Sequence, residues 1–142
     1  MAKRQMPTLK RTLEIHAPPT EVWRVLTNPE LIREWAAAYQ DGISIRTSWR
    51  QGEPVTWKAP DGTTQAQGAI AAIEPGRLLK IDYDADARAA FPDTFEIVAK
   101  EDRTWLNVSA DQLDEDDLKA AEEALLEIKS LAEESAQIRG AR

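Results

Sequence analysis

Residues 114–138 read DEDDLKAAEEALLEIKSLAEESAQI, and this stretch decides the fold. Leu118, Ala121, Leu125, Ile128 and Ala132 follow one another at alternating steps of three and four residues, which puts them on one face of a helix. Leu131 and Ile138 widen that stripe, and Glu122, Glu123, Lys129, Glu133 and Glu134 fall opposite it. The 25 residues from Asp114 to Ile138 would span roughly 37 Å as a helix. A helix of that length with one apolar face needs an apolar surface to lie on.

Upstream, the chain supplies strands. Thr8 to His16 alternates, with Leu9, Leu13 and Ile15 on one face and Thr12 and Glu14 on the other. Ala17-Pro18-Pro19 stops this run, and a short helix is expected over Thr20 to Leu26, with Thr20 as N-cap or a proline in the first turn. Asn28 then caps a second short helix with Pro29 at its first position and Leu31, Ile32 and Trp35 on its apolar side. Asp41-Gly42 turns the chain. Six strand signals follow. Ile43, Ile45, Thr47 and Trp49 alternate, then Val55 and Trp57; Asp61-Gly62 is the strongest hairpin signal. Thr64 to Ile73 carries Gly68 inside it, which predicts a bulge or a bend. Leu79, Ile81 and Tyr83 alternate after Glu74-Pro75-Gly76, and Asp84 to Pro92 is an irregular connection. Phe95 and Ile97, then Trp105, Leu106 and Val108, complete the set, with Trp105 on the outer alternation. Short turns between successive strands argue for an antiparallel sheet, and separate runs of strands and helices make the class α+β.

Bulk properties bound the rest. A length of 142 residues suits one domain, and such a chain buries about 68–70% of its unfolded surface, enough for one core. Residues 1–8 are expected to be a flexible tail. The chain has no cysteine, which removes disulfides and thiolate chemistry and fits a reducing compartment. No apolar run approaches the roughly 20 residues of a membrane span, and the basic start MAKRQMPTLK has no apolar core behind it. A cytoplasmic location and no membrane partner are therefore expected. The net charge is −7, and the segment from Asp111 to Glu134 holds 10 acidic against 2 basic residues, a net of −8. A chain of this charge has no general attraction for nucleic acid.

No catalytic motif is visible. His16 is the one histidine, and without a partner set it makes neither a metal site nor a nucleophilic pair. Asp111, Asp114, Glu115, Asp116 and Asp117 lack the spacing of a calcium loop. They read better as a helix start, with Asp114 as N-cap and Asp117 closing a capping box. No metal and no cofactor are expected. Trp49, Trp57 and Tyr83 share the alternation of Ile45, Val55 and Ile81, so they belong to the inner face, where aromatics fill a core or line a pocket.

Particular residues carry a resemblance. Ile15 to Trp23 (IHAPPTEVW), Leu26 to Ile32 (LTNPELI) and Trp35 form its first part. Trp49 to Gly52 (WRQG), Asp61-Gly62, Gly68 to Ile70 and Ile73 to Leu79 form the second, and Thr104 to Val108 (TWLNV) the third. Together, from about Leu9 to Leu131, the chain resembles the Bet v 1-like (START or SRPBCC) superfamily, in the AHSA1-like branch related to the C-terminal domain of the Hsp90 ATPase activator. The resemblance implies a helix-grip fold: a curved seven-stranded antiparallel sheet wrapped around a long C-terminal helix, with two short helices after strand 1. It also implies an apolar cavity between helix and sheet. Trp35, Ile45, Trp49, Trp57, Tyr83, Phe95, Leu125 and Ile128 are its candidate lining. Ala124 stands where relatives often carry a tryptophan, a swap that leaves extra space or shifts the packing. Two classes of function follow: a carrier of a small apolar molecule, or a co-chaperone-like module with a protein partner. A cyclase- or hydrolase-like enzyme is third, with Tyr83, Asp82 and Arg46 as weak polar candidates.

If the last helix is gripped by the sheet, Leu125→Ala or Ile128→Ala should lower stability by about 2–5 kcal/mol in urea denaturation. A loss under about 1 kcal/mol at both positions would speak against a gripped helix.

Overall fold

The computed structural model describes residues 9–84, 91–101, 103–110 and 115–140. In chain order the elements are β1 (Leu9–Ile15), α1 (Pro19–Thr27), α2 (Pro29–Ala36), β2 (Ser44–Arg46), β3 (Pro54–Lys58), β4 (Thr64–Glu74), β5 (Leu78–Tyr83), β6 (Thr94–Lys100), β7 (Arg103–Ala110) and α3 (Glu115–Gly140). The strands form one antiparallel sheet in the order β1-β7-β6-β5-β4-β3-β2. This is the α+β helix-grip arrangement: a curled sheet of seven strands, one long helix and two short helices after β1. Five joins connect neighbouring strands. The first strand reaches the sheet differently, pairing with the last from Leu9↔Ala110 to Ile15↔Thr104.

Local sequence explains most element ends. Pro29 starts α2 at no cost in hydrogen bonds, and Asn28 Oδ1 accepts from the Glu30 and Leu31 N–H groups at 2.9 and 3.3 Å. In α1 the alternative to a Thr20 cap holds. Pro18 is the cap position, its carbonyl takes the Glu21 N–H at 3.0 Å, and no side chain caps. The Asp61-Gly62 hairpin forms as its residues dictate, with Gly62 at φ +91° and Asp61 Oδ1 accepting from Thr63 N–H. The proposed Asp114 cap and Asp111 lie outside the described residues, as does the expected tail over 1–8.

Three sequence expectations are corrected. The strand read from Ile43 to Trp49 ends at Arg46, and Trp49 has φ +60°. Backbone in that region cannot continue a strand. The bulge expected at Gly68 falls beside it: register shifts occur between Ile70 and Ala72, and opposite Trp57 and Lys58. Gly68 instead permits close approach, because a Cβ there would meet the Asp82 carbonyl oxygen at 2.1 Å. Ile138 does not widen the apolar stripe; it is 70% exposed. By that point α3 has passed the edge of the surface it covers.

Ala121, Ala124, Leu125, Ile128 and Ala132 form the buried stripe of α3. Ala124 is fully covered and belongs to that stripe. Lys129 and Glu133, expected on the solvent side, reach the sheet edge. Lys129 Nζ donates to the Glu14 carbonyl at 2.6 Å and to Glu133 Oε2 at 2.7 Å, while Glu133 Oε2 accepts from the His16 N–H at 2.9 Å. The end of β1 thus finds in the helix the partners that a further strand would have given it. Arg24 Nη1 also donates to Ser135 Oγ at 3.1 Å, tying α1 to α3.

The curl around β4 sets up a direct check. Gly68→Ala places a methyl group inside a neighbouring strand and should cost at least about 1–3 kcal/mol by urea denaturation. An unchanged unfolding midpoint would mean that β4 and β5 do not approach this closely.

Candidate functional site

Where α2 and the inner sheet face meet, the side chains converge on one narrow slot. Leu26 comes from α1, and Ile32 and Trp35 from α2. Ile45, Trp57, Leu79, Ile81, Tyr83 and Phe95 come from the strands. Trp49, Phe91 and Pro92 come from connections. Six of the eight residues proposed from sequence, namely Trp35, Ile45, Trp49, Trp57, Tyr83 and Phe95, stand on this wall. Leu125 and Ile128 do not; they are buried in the core at 3% and 0% exposure. The reason is length: α3 packs against α1, α2 and β1, and its stripe closes the core beside the slot.

The slot is nearly full. Its free volume is about 10 Å³, room for about one water molecule, whereas small-molecule pockets start near 300 Å³. Aromatic rings account for the filling. Trp57 and Phe91 stack with centroids 4.3 Å apart and planes at 11°. Tyr39 lies against the same Phe91 ring at 4.6 Å, and Tyr83 at 6.3 Å. Trp35 meets Trp57 and Phe95 edge-on at 6.1 and 6.3 Å. Such contacts are the offset and edge arrangements that ring quadrupoles favour.

The polar atoms at this site are few. Trp35 Nε1 donates to the Val25 carbonyl, and Trp57 Nε1 donates to the Tyr83 hydroxyl, both at 2.9 Å. The Tyr39 hydroxyl is buried and has no hydrogen-bond partner among the described residues. Burial pushes the Tyr39 phenol well above the ordinary tyrosine range, and the neighbouring Tyr83 and Asp117 add to the effect. Burial raises Tyr83 as well; the bond from Trp57 works against that rise, and Asp93 adds to it. Both groups are therefore neutral O–H donors at ordinary pH.

Trp49 departs from ordinary backbone. A bulky residue at φ +60° is uncommon, and such strain costs about 1–3 kcal/mol. Thr47 Oγ1 steadies the turn by accepting from the Trp49 N–H at 3.3 Å. The result is an indole turned onto the slot from a connection rather than from a strand.

The weak polar candidates fall elsewhere. Arg46 and Asp82 are exposed and are not part of the wall. His16 is exposed at the end of β1, with Nε2 3.8 Å from Glu14 Oε1. No group of three or more His, Asp or Glu among the described residues could hold a metal ion. No helix among them is long and apolar enough to cross a membrane. A larger but open groove of about 550 Å³ lies on the surface beside the β4–β5 turn, between Arg77 and Glu96 to Ala99. Sequence reasoning missed Phe91, Pro92 and Tyr39. Phe91 and Pro92 were the signal available, an aromatic-proline pair ending an otherwise polar connection, and Tyr39 lies four residues beyond Trp35.

Comparison with known proteins agrees with the fold. The family model described as Activator of Hsp90 ATPase homolog 1-like protein matches residues 16–132. No curated protein matches the chain. Among solved structures, a protein from Mesorhizobium loti is 20% identical, with TM-score 0.67 over 91% of this chain and 98% of that one. An AHSA1-like protein from Aeromonas hydrophila is 18% identical, with TM-score 0.65 over 89% and 94%. The Aha1 dimer from Colwellia psychrerythraea is 15% identical, with TM-score 0.65 over 90% and 97%. At these identities the likeness is one of fold.

The two buried phenols, the only tyrosines of the chain, give a titration test. Unfolded tyrosine ionises near pH ~10, and both native groups ionise above that. Their contribution to stability is therefore fully present below pH ~10 and is lost as pH rises beyond it. Ultraviolet titration should show no tyrosinate while the circular dichroism stays native, and both groups should ionise with unfolding. Tyrosinate appearing in the native protein near pH ~10 would contradict their burial.

Proposed function

Because the chain belongs to the Activator of Hsp90 ATPase homolog 1-like family, we propose that it binds a small apolar molecule in the aromatic slot beside α2. The observation that carries this reading is the wall itself. Rings from α2, β3, β5, β6 and two connections converge on one place, and one of them, Trp49, is held there by strained backbone. A core needs no such strain, whereas binding sites often retain it. With about 10 Å³ free, the ligand enters by displacing a side chain rather than by filling a standing void.

A second reading, a co-chaperone-like protein-interaction module, draws support from the same small volume. An interior that stays closed leaves the surface to carry the function. Against it, the exposed large apolar residues among those described are Leu126 and Ile138, which make no contiguous patch. Catalysis has less support: the polar groups at the slot are two neutral phenols, with no nucleophile and base in reach of each other.

Native mass spectrometry of the protein purified from its own host separates the first two readings. A bound apolar molecule of defined mass is the expected result. Protein that is repeatedly empty would overturn the carrier reading in favour of the interaction module.

A further inference from the structure

Besides its two outer edges the sheet has a free stretch of edge within it. β6 pairs with β5 as far as Leu78↔Glu96, but with β7 as far as Lys100↔Arg103. The last bond between β5 and β6 runs from the Ile97 N–H to the Arg77 carbonyl at 2.7 Å. The Arg77 N–H does not answer the Ile97 carbonyl; it donates to the Glu74 carbonyl at 2.9 Å, inside the β4–β5 turn. Backbone groups alternate sides along a strand, so the N–H and C=O of Ala99 point the same way as those of Ile97. Among the described residues no strand lies opposite them, and the open groove of about 550 Å³ from Pro75 to Ala99 runs there instead. At the end of β1 the fold closes such an opening with Lys129 and Glu133.

The side chains along this stretch set the chemistry of what fits. Phe95 and Ile97 are buried, so Glu96, Val98 and Lys100 point outward. Val98 stands opposite Trp105 and diagonal to Leu78, and all three are half-buried without belonging to the core. They make a short apolar strip on the outer face. Lys100 is exposed, stands opposite Arg103 and has no ion pair among the described residues, whereas Arg103 is bonded to Glu14. Two cations directly opposite each other in a ladder repel, so a carboxylate beside Lys100 is favoured. We propose that this edge of β6 takes an extended peptide as an added strand, one with aspartate or glutamate two positions ahead of an aliphatic residue. The peptide runs antiparallel to β6, and its residue between those two exchanges both backbone bonds with Ala99. The aliphatic side chain then lies beside Val98 over Leu78, and the carboxylate lies beside Lys100. This edge is separate from the aromatic slot and does not depend on what the slot holds.

The test titrates acetyl-Ser-Glu-Thr-Val-Ser-amide into the full, isotope-labelled chain and follows the backbone amide resonances up to about millimolar peptide, where weak binding is still seen. The Ala99 amide should move downfield and exchange its proton more slowly. The same peptide with N-methylated threonine lacks the hydrogen that pairs with Ala99 and should not bind. Lysine in place of the peptide's glutamate should weaken binding about fivefold, the size of an exposed charge pair, and Lys100→Glu should reverse that preference. No response at Ala99, equal binding of the N-methylated peptide, or an unchanged preference in Lys100→Glu would each overturn the proposal. An Ala99 resonance that shifts with protein concentration alone, before peptide is added, would overturn it in favour of a second copy of this chain at the same edge.

Discussion

The apolar face of the sheet and the open edge of β1 both need cover, and α3 supplies it for both. Its stripe from Ala121 to Ala132 is small at three of five positions, so the helix lies close over the core. At the same time Lys129 and Glu133 bond to the Glu14 carbonyl and the His16 N–H. A covered face excludes water, and a satisfied edge does not invite another strand. The two demands fix where α3 lies, and hence which part of the inner sheet it leaves to α2 and the connections. The slot occupies that remaining part.

The slot shows how little separates a core from a pocket. Its wall is apolar and aromatic, as either would be. What distinguishes it is a set of local discords: a tryptophan in left-handed backbone, a buried phenol with no partner among the described residues, and a connection residue stacked flat on a strand indole. Proteins in which local and global preferences agree have little reason to keep such features. Here all three converge on one place. A side chain on a connection is also the kind that can leave without breaking a sheet ladder, so a nearly full interior is compatible with exchange for a ligand.

Much of this was legible beforehand because it rests on periodicity. Alternation along β1, β3, β5, β6 and β7, and the three-four spacing of α3, are properties of each segment alone. So are the proline and asparagine at the start of α2 and the Asp61-Gly62 hairpin. Ile45, Trp57, Tyr83 and Phe95 could be assigned to the inner face for the same reason, since an alternation assigns a face, and Trp35 to the apolar side of α2 by its helical spacing. The errors lie where neighbours outside the segment decide. Trp49 looked like a strand residue until the chain had to turn between β2 and β3. Ile138 matched the helical period after the surface beneath it had ended. Leu125 and Ile128 were placed correctly in the interior, but a helix period does not say which part of that interior stays open.

By itself, then, the sequence determined the class, the number and chain order of the strands, the gripping helix and the face on which the strand aromatics Trp57, Tyr83 and Phe95 lie. These follow from short-range spacing and from the need to bury one side of each element. Only the tertiary structure decided the rest: the pairing of β1 with β7, the capping of the β1 edge by Lys129 and Glu133, and the meeting of Phe91 with Trp57 and Tyr39. Those contacts join residues far apart in the chain. No local pattern encodes them, because they exist only once separate elements compete for the same interior space.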